Sequence, residues 1–142
     1  MSYPAPGQPA GGFADLLGLR LLSAAADEVV AELDADGRHL DAAGEVHHGV
    51  HATLVETVAS VGAWYAVRER RLSVVGIANH TDVLRAHGGG RLEARGRPEH
   101  VGADEQLWSV WVRRDDGEAV ARGQVRLWHL PDERPAAADP GA

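Results

Sequence analysis

One apolar segment constrains the fold of this chain more than any other stretch. From Ala52 to Val67, Glu56 is the only side chain expected to carry a charge. Leu54, Val58 and Val61 recur at helical spacing, so the segment is predicted to form a helix that packs these side chains into a core. A charge without a partner is costly to bury, and Glu56 is therefore expected either to find hydrogen bonds or to keep its proton.

The other face of the predicted helix is small or polar, so another backbone or a ligand could approach it closely. Its residues are Gly49, Ala52, Thr53, Glu56, Ser60 and Ala63. Glu56 and Ser60 stand four positions apart and would be neighbours on this face. A carboxylate in such surroundings suits a general acid or base. The alternative is a structural carboxylate that hydrogen-bonds a neighbouring loop.

Composition narrows the class of protein. The 142 residues suffice for one domain with a proper core. The chain has no cysteine, which excludes disulfides and thiolate chemistry and fits the cytoplasmic location that we expect. A formal net charge of −7 argues against nucleic acid as a partner. No apolar run has the length of a membrane span, and the first residues lack a leader pattern, so no membrane association is expected.

Periodic patterns place the other elements. Residues 1–12 and 131–142 are rich in Pro, Gly and Ala, which predicts a flexible N-terminal arm and a flexible tail around a domain at 13–130. Residues 19–34 are predicted to form a two-stranded hairpin. After the helix, strands are predicted at 72–78, 91–97, 107–112 and 120–130. The polar run at 80–82 is expected to interrupt the first of these.

This order of elements predicts an architecture. Two strands, one long helix and then a meander of about four strands indicate an α+β fold, in which an antiparallel sheet wraps around a single central helix. Glu56 would then face an edge of the sheet or a partner subunit. Exposed sheet edges need covering, which favours an oligomer.

Several motifs together resemble one protein family. The residues His47, His48, Gly49, Glu56 and Ser60 are similar to the His-Gly-Gly turn and central helix of hotdog-fold acyl-CoA thioesterases of the PaaI type, which include 4-hydroxybenzoyl-CoA thioesterases with a helix glutamate. Further similarities follow in the family's order, at Asn79-His80-Thr81 with Arg85, at 97–102, at Leu107-Trp108 and at Asp115-Asp116-Gly117. The resemblance covers residues 13–130 and implies the hotdog fold.

The resemblance also implies a reaction. An acyl-CoA with an aryl or a short or medium acyl group would be hydrolysed to a carboxylic acid and coenzyme A. Glu56 would act as nucleophile or as general base on water, and both routes stay open. The N–H of His48, beside Gly49, would form the oxyanion hole, which agrees with the preference of a helix N-terminus for negative charge. His47 would shape the site, and Ser60 would hold water or the acyl group.

The same resemblance implies a homo-oligomer, either a dimer or a homotetramer, with active sites at the subunit interface. It implies no cofactor and no metal. The side chains that bind coenzyme A phosphates are expected among arginines of the strands, although each could equally be a solvated charge. The candidates for substrate binding outside the helix are Asp41, His80, Thr81, Arg85, Arg91, Arg95, Arg97 and Gly102.

Three positions depart from the family pattern. His48 stands where the family has glycine, and it would be strained if its φ were positive. Asp41 stands where many members have a glutamine that can donate to the thioester oxygen, which an ionised aspartate cannot do. Either Asp41 is protonated, or another donor such as His47 replaces it, or the rate suffers. Ala103-Asp104 replaces a Ser/Thr pair that holds a nucleotide phosphate.

Other functions remain open. The departures keep a non-catalytic acyl-CoA-binding protein in consideration, and an acyl carrier protein could replace coenzyme A as the thiol. A hotdog dehydratase is disfavoured, because such enzymes space their histidine and acid differently. His47 and His51 could hold a metal if both lay on the helix, but His47 is expected to precede it. His51, His87 and His129 are expected to be surface or hydrogen-bonded residues.

Overall fold

The computed structural model of the protein describes residues 3–133, and its main feature is a six-stranded antiparallel sheet wrapped around one long helix. The helices are α1 (Gly12–Leu17) and α2 (His48–Val67), with short 3-10 helices at Gly37–His39 and Arg68–Arg70. The strands are β1 (Arg20–Ala24), β2 (Val29–Ala35), β3 (Leu72–Val83), β4 (Gly90–Val101), β5 (Glu105–Arg114) and β6 (Ala119–Pro131). The predicted α+β architecture is confirmed. Most of the predicted tail, at 134–142, lies outside the described residues.

Helix α2 packs one of its faces into the hydrophobic core. Leu54, Val58 and Val61 are fully buried, as their helical spacing predicted. Burial of each such side chain stabilises the fold by about 1.5–3 kcal/mol relative to exposure. The helix packs directly against the ring of Trp108 at Gly62, where any Cβ would collide with that ring. Within residues 3–133, no helix combines the length and apolar character needed to cross a bilayer.

The strand order is β1-β2-β4-β5-β6-β3. Strands β4, β5 and β6 pair successively, as a meander predicts, but β3 pairs with β6 rather than with β4. The predicted meander is therefore wrong for β3, because alternation along a strand locates the strand without specifying its partner. In the described part of the chain, β1 and β3 form the two edges of the sheet.

Strand β3 continues through the polar run that was predicted to interrupt it. His80 and Asp82 lie opposite Gln124 and Arg122 of β6, on the outer face of the sheet. Thr81 points to the other face, where its hydroxyl lies beside Gly123. An antiparallel sheet tolerates polar side chains on a solvated face, so this run does not break the strand.

A hydrogen-bonded network of polar side chains lies inside the sheet. The side-chain amide of Gln106 donates to the carbonyl of Ala63 at 2.9 Å and to Nε2 of His129 at 3.0 Å. Its oxygen accepts the indole N–H of Trp108 at 2.8 Å. Nδ1 of His129 lies 2.8 Å from the carbonyl of Ala103, so this nitrogen carries the proton and Nε2 accepts. His129 is therefore hydrogen-bonded, as expected.

His51 departs from the expectation of a surface or hydrogen-bonded residue, whereas His87 is buried but hydrogen-bonded, with its Nδ1 3.3 Å from the carbonyl of Gly89. His51 is 1% exposed and His87 is 8% exposed. Their rings lie 5.4 Å apart, and neither ring nitrogen of His51 has a hydrogen-bond partner among the described residues. Burial, together with the nearby His87 and His48, lowers the pKa of His51 to about 4. His51 belongs to the core because the buried face of α2 extends back to its first turn.

We expect Gln106→Leu to lower the free energy of unfolding by about 2–4 kcal/mol, because each buried polar group left unpaired costs roughly 1–3 kcal/mol. Urea denaturation followed by tryptophan fluorescence measures this change. Gln124→Leu is the matched control, since the Gln124 side chain is exposed and makes one long contact, at 3.5 Å, with Ser109. Equal stability of the two variants would contradict a structural role for the network.

We expect the free energy of unfolding to fall as the pH drops from about 6.5 to about 4. In this range His51 is protonated in the unfolded chain but stays neutral in the folded chain. The loss due to His51 is about 2–3 kcal/mol at the lower end of this range. Urea denaturation of wild type and His51→Leu at pH 7.5 and 4.5 isolates it, since carboxylates contribute equally to both proteins. Parallel pH dependence of the two proteins would refute the assignment.

Candidate active site

A cleft of about 870 Å³ opens between α2, β3 and the N-terminal residues. Glu56 and Ser60 line it from the helix, and Gly76 and Asn79 line it from the strand. The remaining wall is mostly apolar and includes Val61, Val74, Leu21, Phe13 and Leu130. The small and polar face of α2 therefore faces a cavity beside a sheet edge, which is one of the two positions that the sequence predicted for Glu56.

Both carboxylate oxygens of Glu56 accept hydrogen bonds. The Ser60 hydroxyl donates to Oε1 at 3.1 Å, and the Asn79 side-chain amide donates to Oε2 at 2.9 Å. The same amide donates to the carbonyl of Ala52 at 3.2 Å, while its oxygen accepts the Thr81 hydroxyl at 2.7 Å. Glu56 thus satisfies its charge through hydrogen bonds, in an arrangement that fixes its rotamer and leaves it facing the cleft.

Strand β3 approaches the carboxylate closely at Gly76. A Cβ at this position would collide with Oε1 of Glu56, so no larger residue fits beside the carboxylate in its present position. Asn79 was not selected as a site residue from the sequence, although it belongs to a motif that was recognised. Strand alternation supplies the missing signal, because Asn79 and Thr81 share the face of β3 that points to the helix.

His47, His48 and Gly49 lie together at the exposed start of α2. The N–H of Gly49 already donates to Nδ1 of His47 at 2.9 Å, which leaves the His48 amide as the free donor of this turn. His48 has no positive φ, since Arg71 is the only such non-glycine among residues 3–133, and the anticipated strain does not arise. His47 caps the helix while His51 is buried within it, so the two do not form a common metal site.

Asp41 anchors a turn before α2. Its Oδ1 accepts the N–H groups of Ala43 at 2.8 Å and Glu45 at 3.2 Å. Hydrogen bonds from the backbone of Glu45 and then Ala43 lower the pKa of Asp41, which favours its ionised form. A protonated Asp41 that donates to a thioester oxygen is therefore not supported, because the turn already uses the carboxylate as an acceptor.

The other predicted substrate-binding residues lie away from the cleft. His80 is exposed on the outer face, with Nε2 at 3.1 Å from Asp82, and Gly102 lies in the turn between β4 and β5. Thr81 supports Asn79 rather than lining the cleft. Each of the candidate arginines already has a carboxylate partner. The pairs are Arg85–Glu118 at 2.9 Å, Arg91–Asp34 at 2.8 Å, Arg95–Glu28 at 2.7 Å and Arg97–Glu28 at 2.6 Å.

Tyr3 lines the cleft and was not anticipated as a site residue. Its ring packs edge-on against Trp64, with the ring centroids 6.0 Å apart. Burial raises the pKa of Tyr3, an interaction with Ser60 lowers it in part, and the Glu56 carboxylate raises it further. The sequence did contain a signal for Tyr3, since it is a single aromatic residue in a segment otherwise rich in Pro, Gly and Ala.

Comparison with known proteins identifies the family of this chain. A family model for the thioesterase superfamily matches residues 43–121. A Mycobacterium tuberculosis protein, whose esterase name states no substrate, is 37% identical over 129 residues, which cover 89% of this chain and 92% of that protein. The 1,4-dihydroxy-2-naphthoyl-CoA hydrolase of Escherichia coli is 27% identical over 115 residues, which cover 81% of this chain and 84% of the hydrolase.

Two solved structures are similar throughout the domain. AziG from S. sahachiroi has 38% sequence identity and a TM-score of 0.82, covering 85% of this chain and 98% of AziG. A variant of the phenylacetic acid degradation protein PaaI from Thermus thermophilus has 26% identity and a TM-score of 0.76, covering 83% of this chain and 98% of PaaI. The chain has the hotdog fold and belongs to the thioesterase superfamily, as its helix, turn and strand motifs had indicated.

Proposed function

We propose that this protein hydrolyses an acyl-CoA thioester to a free carboxylic acid and coenzyme A, with Glu56 as the nucleophile or general base. The observation that carries the proposal is the Glu56 carboxylate, which two donors hold in place inside a largely apolar cleft. Membership of the thioesterase superfamily supports the reaction class. The similarity to a hydrolase of an aromatic acyl-CoA supports coenzyme A as the thiol and an aryl group among the substrates.

The hydrogen bonds to Glu56 suit either chemical route. As a general base, the carboxylate would take a proton from the water that attacks the thioester carbonyl. As a nucleophile, it would attack the carbonyl itself and form an anhydride, which water then hydrolyses. Ser60 and Asn79 would serve both routes by holding the oxygens before the substrate arrives, since a fixed geometry lowers the entropic barrier.

The oxyanion donor comes from a second subunit in this proposal. At 1.5 Å per residue, the His48 amide lies roughly 12 Å along α2 from the backbone of Glu56. The Glu56 side chain folds back toward the start of the helix by about one turn, since the Asn79 amide donates both to Glu56 and to the carbonyl of Ala52. A gap of roughly 6 Å therefore remains between the carboxylate and the His48 amide. The first N–H groups of a helix also point away along its axis. One thioester carbonyl cannot then contact both groups of one chain.

The free edge of β3 supports such an assembly. Residues 75–80 of this strand are exposed, and the same strand forms one wall of the cleft. A second copy that pairs along this edge by a two-fold axis would cover the unpaired backbone groups. Its α2 would then bring His47, the His48 amide and Gly49 toward Glu56 of the first copy. Two equivalent sites would form at each interface, in a dimer or in a homotetramer of two such dimers.

In this proposal, coenzyme A lies on the solvent side of the cleft. Arg85, Arg91 and Arg97 lie away from the cleft, so they would bind its phosphates only where coenzyme A extends beyond the cleft, after exchanging their present carboxylate partners. Because coenzyme A thioesters are intracellular metabolites, the proposal includes a cytoplasmic location. The runner-up function is acyl-CoA binding without turnover, which the anchored Asp41 favours because it removes one thioester donor.

We expect Glu56→Gln to lower kcat by about a thousandfold, the usual range for loss of a general base, while leaving the fold and the substrate Kd nearly unchanged. Thiol release from a panel of aromatic and aliphatic acyl-CoAs measures kcat and KM. Glu69→Gln is the matched control, because Glu69 is exposed in the short helix after α2. Turnover by Glu56→Gln at the rate of the control would rule out the central role of Glu56.

A negative result with wild type would itself discriminate between functions. Tight binding of a non-hydrolysable acyl-CoA thioether, without turnover of any thioester, would establish the binding role instead. Turnover of acyl-pantetheine carried on an acyl carrier protein, without turnover of the free acyl-CoA, would identify the carrier protein as the thiol donor.

We expect Asn79→Ala to lower kcat by about ten- to a hundredfold, because Oε2 of Glu56 loses its donor and the carboxylate is less well positioned. Thr81→Val should give a smaller decrease, since Thr81 acts only through Asn79. The thiol-release assay at saturating substrate gives both values. Full activity of Asn79→Ala would show that Ser60 alone positions the carboxylate.

A further inference from the structure

The N-terminal residues form the third wall of the cleft. Tyr3, Pro4, Ala10, Gly11 and Phe13 face the helix residues and β3 across the cavity. Apart from Phe13, which lies in α1, these residues belong to the segment that was predicted to be a flexible arm, and residues 3–11 contain no helix or strand. A segment without helix or strand therefore forms part of the wall around the space that a ligand would occupy.

Specific contacts hold this arm against the domain. The N–H of Gly7 donates to the carbonyl of Leu21 at 3.1 Å, and the N–H of Gln8 closes a turn on Ala5 at 3.1 Å. The edge-on contact between Tyr3 and Trp64 fixes the start of the described arm on α2. Trp64 is itself only 8% exposed, so Tyr3 packs onto a rigid part of the core.

The hydroxyl of Tyr3 lies near the polar residues of the cleft. It interacts with Ser60, the residue whose own hydroxyl proton is donated to Glu56. Burial and the neighbouring carboxylate of Glu56 raise the pKa of Tyr3, so the phenol remains neutral near pH 7. The ring contact with Trp64 therefore keeps the Tyr3 side chain at the wall of the cleft.

The cleft has a polar end and an apolar end. Near the start of α2, the cleft is lined by Ala52, Thr53 and the exposed side chain of Asn79. A little over two helical turns further on, just beyond Ser60, the lining includes Val61 and the ring of Tyr3. An apolar group gains about 25 cal/mol per Å² by leaving water, so an acyl chain favours the second end and a charged nucleotide favours the first.

We propose that Tyr3 is a specificity-determining residue whose ring closes the apolar end of the cleft and limits the size of the acyl group. The inference rests on the proposed function in one respect, that the cleft holds an acyl group beside Glu56. The N-terminal arm would limit the size of the acyl group, whereas residues of α2 and β3 would carry out the hydrolysis.

The test compares acyl groups of four, six and eight carbons. Binding of the corresponding acyl-CoA thioethers is measured by calorimetry, and kcat/KM is measured on the matching thioesters. In Tyr3→Ala we expect the preference for eight over four carbons to rise about tenfold in both measurements, as burial of roughly two further methylenes would give. Tyr3→Trp should shift the preference in the opposite direction, and Tyr3→Phe should leave it unchanged.

Tyr65→Ala is the matched control. Tyr65 contacts the same Trp64, with ring centroids 5.2 Å apart, but does not line the cleft. An unchanged size preference in this variant shows that the effect of Tyr3→Ala does not pass through Trp64. Circular dichroism establishes that each variant is folded, and Tyr3→Trp retains a large ring that Tyr3→Ala removes.

The outcomes separate this inference from the proposed function. Hydrolysis that requires Glu56, with the same size preference in wild type, Tyr3→Ala and Tyr3→Trp, would overturn the role of Tyr3 and leave the thioesterase intact. A shifted thioether preference in a protein that hydrolyses no thioester would uphold Tyr3 and overturn hydrolysis. Absence of both binding and turnover would overturn both.

Discussion

The packing of α2 against the concave face of the sheet is the constraint on which the rest of the structure depends. Leu54, Val58 and Val61 commit one side of the helix to the core, and Gly62 lets it approach Trp108 without an intervening side chain. Because the apolar side is committed, the face that bears Glu56 must turn toward β3. The carboxylate reaches the cleft as a consequence of core packing, and its position is as rigid as the core itself.

Polar groups in this fold divide into those that the structure satisfies and those that it exposes to a ligand. Gln106 donates a hydrogen bond to His129 within a closed network, whereas His51 is buried without a hydrogen-bond partner among residues 3–133 and is held neutral. Glu56 differs from all of these, because its donors hold it at the wall of a cavity. The abundance of histidine in this chain therefore reflects helix capping and core packing more than a shared site.

The cleft is assembled from three segments that are distant in the sequence. Helix α2 contributes the carboxylate, β3 contributes the amide that holds it, and the N-terminal arm closes the apolar end. Because the arm is separate from the helix and the strand, its sequence can vary and change the proposed acyl pocket while the core of the thioesterase superfamily fold is preserved. The free edge of β3 lies beside the same cleft, which links the proposed assembly to the proposed chemistry.

The sequence by itself determined the helix, its buried stripe, the strands and the place of Glu56 on the opposite face of the helix, because helical and strand periodicity are local properties and the turn and helix motifs are contiguous. Only the tertiary structure decided that β3 pairs with β6, that Asn79 holds Glu56, that Asp41 is an acceptor in a turn, and that Tyr3 lines the cleft. His51 was likewise placed in the core by contacts with a distant loop residue, His87. These features arise from residues brought together across long stretches of chain, and the period of a single segment carries no information about its distant partner.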